Sequence, residues 1–273
     1  MTRIAVIGGG RIGEALIAGL LESGRASKDL VVVEPVAARG EVLSQRFGVR
    51  VTSAVADGAV GADLVVIAVK PNDVDGVVTE LAKSELGEGD REAVVVSLAA
   101  GVPTAKLENK LPAGFPVIRV MSNTPMLVGQ GMSAIAPGRY ARKEQLALVT
   151  EVLESVGKVV TVAESQMDAV TAVSGSGPAY FFLVVEAMVD AAVGLGLSRD
   201  VGTQLVVQTM LGSAALMEES GQSAVELRAA VTSPAGTTAA ALRELERGAV
   251  RSAFHEALNA AKRRSAEQGA ISD

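Results

Sequence analysis

The 273-residue chain carries 31 acidic against 25 basic residues, a formal charge of −6 that argues against a nucleic-acid partner, whose phosphates attract basic faces. It has no cysteine and one histidine, His255, so disulfides, thiolate metal sites, cysteine nucleophiles and multi-histidine metal centres are excluded. Hydrophobic residues make up 49% and aromatic ones only 3%, so the core must be built from Ala, Val, Leu and Ile, and the length allows one large domain or two ordinary ones.

The chain enters a strand-like run at once, with no signal-peptide layout in Met1-Thr2-Arg3-Ile4. Apolar runs over 3–7, 30–34, 64–69, 93–97 and 116–121 predict strands, and 13–23, 37–47 and 74–82 between them have helical spacing. This alternation predicts an α/β domain with a parallel sheet wrapped by crossover helices. Continuous runs such as Leu30-Val31-Val32-Val33 fit strands buried on both faces. From Glu164 onward no strand is expected, and helices are predicted over 179–194, 199–219, 239–247 and 251–268, broken at glycine- and proline-containing segments. The expected division is therefore 1–162, a dinucleotide-binding domain, and 163–273, an all-α domain. The helices carry Ala-rich faces (Ala187, Ala191, Ala192; Ala214, Ala215) and more apolar positions than about a hundred residues can hide alone, which points to packing against a second copy. Covering the sheet of their own chain is the other reading. The most apolar stretch, 179–197, is interrupted by Glu186 and Asp190, too early for a membrane span, and a cytoplasmic location is expected.

Gly8-Gly9-Gly10-Arg11-Ile12-Gly13 contains G-x-G-x-x-G between a predicted strand and a predicted helix, the context that motif requires. Gly8 allows the tight turn, Gly10 lets the backbone approach a pyrophosphate, and Gly13 lets the helix pack close to the strand. The phosphates would rest on the helix N-terminal amides, Arg11 and Ile12 among them. Glu34, about twenty residues on, suits the ribose hydroxyls and repels a 2′-phosphate, which favours NADH over NADPH; Arg39 nearby would weaken that preference, and a solvated strand end is the alternative. Ala68-Val69-Lys70-Pro71 and Ser97-Leu98-Ala99-Ala100-Gly101 lie at strand carboxyl ends, where open α/β sheets bind ligands. Ala68, Val69, Lys70, Pro71, Ala99 and Ala100 are therefore further cofactor-binding candidates, with Lys70 lining the groove through its backbone.

Val231-Thr232-Ser233-Pro234-Ala235-Gly236-Thr237-Thr238 precedes a helical run, so several amides face outward at its positive end, a site for a small carboxylate. No basic side chain occurs between Arg228 and Arg243, so an anion there would be held by amides and hydroxyls. An ordinary Ser or Thr cap remains the alternative. Ser174-Gly175-Ser176-Gly177-Pro178 lacks the G-x-S-x-G spacing of a hydrolase and reads as a close-packing turn opening a long helix. His255 reads as a helix-surface residue.

Taken with Met121-Ser122-Asn123-Thr124-Pro125 and the run from Asp168 to Tyr180, these segments resemble the pyrroline-5-carboxylate reductase family over nearly the whole chain. The resemblance implies a Rossmann N-terminal domain, a helical C-terminal domain that dimerises and binds substrate, and reduction of 1-pyrroline-5-carboxylate to L-proline by NAD(P)H. It implies no metal and no membrane partner, and a homodimer or larger homo-oligomer. Carried over, Val231, Ser233, Gly236, Thr237 and Thr238 surround the substrate, Thr238 is the catalytic hydroxyl at the ring nitrogen, and Glu164 is an acidic residue on the substrate side. Three positions depart from the family pattern. Ser122 replaces a usual Pro. Ala235 replaces a loop Gly, tolerable with a negative φ. Glu34 stands where many members have a small or basic residue. Two other functions fit the residues: a related two-domain dehydrogenase or imine reductase, and a non-catalytic nucleotide sensor.

Overall fold

The computed structural model describes residues 2–84, 86 and 93–271; the ends of the two expected regions, 1 and 272–273, lie outside them. Eight strands form one sheet in the order β3-β2-β1-β4-β5-β6-β7-β8. They are β1 Ile4–Ile7, β2 Leu30–Val33, β3 Arg50–Thr52, β4 Leu64–Ile67, β5 Val94–Ser97, β6 Val117–Met121, β7 Gly131–Pro137 and β8 Gly157–Thr161. β6 and β7 pair antiparallel, and the other neighbours run parallel. The first six strands have the doubly wound order, with its switch point between β1 and β4.

Alternate side chains of these short strands feed two separate cores. Ile4, Val6, Leu30, Val32, Val94 and Val96 pack on one face, and Ala5, Ile7, Val33, Val65, Ile67 and Val95 on the other. The unbroken apolar runs follow from this, because neither face meets water. Each fully buried Val, Ile or Leu contributes roughly 1.5–3 kcal/mol. The helices α1 Arg11–Glu22, α2 Ala37–Phe47 and α6 Lys143–Glu154 cover the first face through Leu16, Leu43 and Leu153. The other face is covered by α3 Val55–Ala59, α4 Val74–Leu81 and α5 Thr104–Glu108 through Val55, Val78 and Leu107. Beyond β8, α7 Met167–Val170 sets Met167 against Ala134 and Ala136 of β7. A π-helical turn, Thr171–Gly175, follows.

By packing, the chain forms two compact units, Met1–Ser176 with Ala261–Asp273, and Gly177–Ala260. The segment 163–176 sides with the sheet because Met167 is buried there, and the last turns of the C-terminal helix side with it through the hydrogen bond from Ser265 Oγ to Asp168 Oδ1, 2.7 Å. The change in sequence character near residue 162 and the division by packing are thus different boundaries.

The second unit is all helical: α8 Gly177–Gly194, α9 Arg199–Ser220, α10 Ala224–Ala230, α11 Thr237–Arg247 and the first part of α12 Val250–Ile271. α8 and α9 approach closely, since a Cβ on Gly202 would sit 3.2 Å from that of Ala192. Val189 and Val206 are buried, while Phe181, Phe182, Leu183 and Leu211 are each at least 60% exposed. By length and composition alone the helical stretch Glu164–Gly194 is apolar enough to cross a membrane, so Glu186 and Asp190 do not interrupt it enough to exclude that on those grounds. His255 is exposed on α12, as expected.

Candidate functional site

The carboxyl ends of β1, β2, β4 and β5 stand level. Past the last paired residues, Gly8 N–H donates to Val33 O (2.9 Å), Ala68 N–H to Ile7 O (2.8 Å) and Leu98 N–H to Ile67 O (2.9 Å). The ladder therefore brings Gly8, Glu34, Ala68 and the Ser97–Gly101 turn to one edge of the sheet. Gly8 has φ +108°, and a Cβ there would lie 2.8 Å from Ala68 O. A Cβ on Gly13 would lie 2.1 Å from Gly8 O, so helix and turn touch backbone to backbone. A Cβ on Gly10 would meet nothing within 4 Å. Gly10 is the N-cap of α1 and supplies no side-chain cap, which leaves the first-turn amides of Arg11 and Ile12 facing an open approach. These features fit a dinucleotide pyrophosphate.

Glu34 follows β2 directly. Its Oε2 accepts from Gly9 N–H at 3.0 Å and its Oε1 from Val36 N–H at 2.9 Å. Arg39 Nε donates to Gly9 O at 2.7 Å, and both Arg39 and Arg46 are ion-paired with Glu14 of α1. Lys70 is exposed and precedes the 3-10 turn Pro71–Asp73 in extended conformation, in keeping with a backbone role beside Ala68, Val69 and Pro71. Ala99 is buried and Ala100 exposed. The turn after them, Gly101 at φ +75°, is backed by the C-terminal helix, with Gln268 Cβ 3.7 Å from a Cβ placed on Gly101.

Asn123, in the segment after β6, ties three elements. Its Nδ2 donates to Ser174 O and Oγ, both at 3.3 Å, and its Oδ1 accepts from Met132 N–H at 2.9 Å. Ser122 accepts from Ser133 Oγ at 3.0 Å. A Cβ on Gly175 would lie 2.2 Å from Met121 Cε, so the close contact at this turn is with a side chain and not with backbone as expected.

Glu164 sits at the start of the 3-10 turn Glu164–Gln166. Its Oε1 accepts from Arg119 Nη1 at 2.7 Å, and Thr104 N–H lies 3.4 Å away. Arg119 is a buried cation on β6, 5% exposed, that sequence reasoning missed, because its partner lies 45 residues along the chain. Glu164 Oε2 is buried and has no hydrogen-bond partner among the described residues.

The loop 231–238 lies in the helical unit. α10 is opened by a box in which Ser223 and Glu226 bond each other's backbone N–H, and the hydrogen bonds from Ser223 hold the Glu226 carboxyl below its usual range. Glu246 of α11 takes a hydrogen bond from Arg251 that lowers its pKa, and lies 4.0 Å from Arg228 of α10. These contacts frame the loop and engage its nearest upstream cation. Ala235 adopts φ +60°, so the negative φ that would make the Gly-to-Ala change harmless is not the one the chain takes. The loop must turn left-handed before Gly236, where a Cβ would collide with Ser233 Oγ at 2.4 Å. Gly236 caps α11 without a side-chain hydrogen bond, so the amides at Thr237 and Thr238 are left for an external acceptor. Ser233 and Thr237 are exposed and Thr238 half-buried. Val231 is 65% exposed at the other end of the loop.

A doubly wound sheet with an open glycine turn at its switch point, joined to a separate helical unit, defines the class of dinucleotide-binding oxidoreductases. Residues 164–268 match the family model for pyrroline-5-carboxylate reductase dimerisation, and 3–101 the model described as NADP oxidoreductase, coenzyme F420-dependent. The pyrroline-5-carboxylate reductase of Mycobacterium tuberculosis is 54% identical, covering 97% of this chain and 96% of that one. The solved structure of the Coxiella burnetii reductase superposes with TM-score 0.93 at 37% identity, covering 98% of each chain. That of Plasmodium falciparum, determined with NADP bound, gives 0.85 at 28% identity, again covering 98% of each. The chain belongs to the pyrroline-5-carboxylate reductase family.

Proposed function

We propose that this protein reduces the cyclic imine 1-pyrroline-5-carboxylate to L-proline with a reduced nicotinamide dinucleotide, NADH in preference to NADPH, as a cytoplasmic homodimer or larger homo-oligomer. The observation that carries this reading is the uncapped start of α11 behind Ser233 and Gly236, a hydroxyl-lined anion site on a chain of this family. Residues 1–162 act as the cofactor-binding domain and 163–273 as the substrate-binding and dimerisation domain.

The amides of Thr237 and Thr238 hold the substrate carboxylate, with Ser233 and Gly236 shaping the loop and Val231 lining it. The Thr238 hydroxyl orients the ring nitrogen and holds its proton. Glu164 is a further residue on the substrate side, its Oε1 held by Arg119. Bound at Gly8, Gly10, Arg11, Ile12 and Gly13, with its ribose at Glu34 and its ring beside Ala68–Pro71 and Ala99–Ala100, the reduced cofactor supplies the hydride. A protonated imine is already electrophilic, so the protein's task is positioning and exclusion of water, effects that contribute several kcal/mol.

The test is loss of reduced-nicotinamide absorbance on adding 1-pyrroline-5-carboxylate, with NADH and NADPH in parallel. Turnover faster with NADH is expected. Binding of either cofactor without turnover would overturn the assignment in favour of another dehydrogenase or a nucleotide sensor.

A further inference from the structure

A dinucleotide site of this class accepts a 2′-phosphate when a basic side chain stands near the end of the second strand. This chain has two such cations on α2, Arg39 and Arg46, yet neither is unengaged. Both guanidinium groups are paired with Glu14, the residue that directly follows the glycine fingerprint on α1. Gly9 connects this cluster to Glu34. Its N–H goes to Glu34 Oε2 at 3.0 Å and its carbonyl receives Arg39 Nε at 2.7 Å. The Arg39 guanidinium is therefore one peptide unit from the carboxylate that meets the ribose. The Glu14 and Arg39 side chains are only 20% and 32% exposed, so salt screens their pairing less than an open surface pair.

We propose that Glu14 determines cofactor specificity. It holds Arg39 on the Gly9 carbonyl and away from the 2′ position, so that Glu34 alone defines the charge met there and the 2′-phosphate finds repulsion without compensation. Selectivity then has two parts, a repelling carboxylate at Glu34 and a cation withheld by Glu14. Arg46, 62% exposed on its side chain, shares Glu14 but makes no bond to Gly9, which makes Arg39 the cation that matters. The proposal rests on the reading of this edge as a nicotinamide-dinucleotide site.

The experiment is equilibrium binding of NADH, NADPH and 2′,5′-ADP to the full-length protein, by fluorescence titration or calorimetry. It compares the native chain, Glu14→Gln, Arg39→Gln, the double variant and Glu14→Asp, with thermal melts checking that each is folded. The native protein should bind NADH more tightly than NADPH. Glu14→Gln should tighten 2′,5′-ADP and shift the NADPH-to-NADH affinity ratio toward NADPH by about tenfold, the effect of one released charge-assisted contact. Arg39→Gln alone should leave that ratio within about twofold and should cancel the gain in the Glu14→Gln background, the signature of two coupled residues. Glu14→Asp should keep the native ratio. A gain that persists in the double variant, or no gain in Glu14→Gln, would overturn the proposal alone, and a native preference for NADPH would overturn it together with the NADH assignment above. Native protein that binds none of the three nucleotides would overturn it together with the reading beneath it.

Discussion

The two compact units treat apolar surface in opposite ways. The sheet unit buries both faces of its strands within itself, and its glycine turn and Glu34 stand together at the strands' carboxyl ends. The helical unit leaves Phe181, Phe182, Leu183 and Leu211 mostly in water and buries few of its large side chains. The first unit forms its two main cores within one chain. The second is built for covering by another surface, which agrees with its match to a dimerisation model. Cofactor binding should therefore depend on one chain's own packing, and substrate turnover on the assembled protein.

The sharpest way to break this comparison is a charge on the exposed helical face. Phe182→Asp should raise the dissociation constant of the oligomer by about a hundredfold or more, since an unpaired carboxylate in an apolar contact costs several kcal/mol. Light scattering should show monomer at concentrations where the native chain is associated. A variant that stays associated would place the contact elsewhere. Glu164→Gln acts within the sheet unit. It leaves the Arg119 guanidinium buried without its counter-charge, at a cost of about 2–3 kcal/mol, less than for a fully enclosed pair because Glu164 is partly exposed. The denaturation midpoint should fall without a change of oligomeric state. Ala235→Gly relieves the left-handed strain and should stabilise the helical unit by about 0.5–1 kcal/mol, read as a higher thermal midpoint. Unchanged stability would mean that the loop relaxes in solution.

The smallest effect concerns Asp75 of α4. Hydrogen bonding from Lys110, aided by the charge of Lys106, holds its carboxyl below the usual value of 3.8. Because the folded state lowers the pKa, the contribution is present above the unfolded value and is lost as pH falls through the folded one. Asp75→Asn should remove a small component of acid sensitivity below about pH 4, seen by comparing denaturation midpoints at pH 3 and 6.

Much of the sheet was legible because its central strands are unbroken Val, Ile and Leu runs, and the range 37–47 matches α2 residue for residue. The strands that escaped are those without that signal. β3 has three residues, β7 begins with Gly and ends with Pro, and β8 has exposed positions. α10 is a single seven-residue helix hidden between breaks. At the site, the glycine fingerprint and Glu34 were readable from local spacing. The pairings Glu14–Arg39 and Arg119–Glu164 were not, since nothing local in the sequence reports a contact made across the fold. The sign of φ at Ala235, on which the tolerance of that Gly-to-Ala change depends, was not legible either, because the loop geometry overrides the residue's own preference.

The central claim is that the loop before α11 holds the reacting imine while the sheet edge holds the cofactor. Its most direct test is steady-state turnover of Thr238→Ala on 1-pyrroline-5-carboxylate, beside the cofactor dissociation constant of the same protein. The account predicts turnover lowered by about a hundredfold with cofactor affinity within about twofold of native. Native turnover in Thr238→Ala would contradict it.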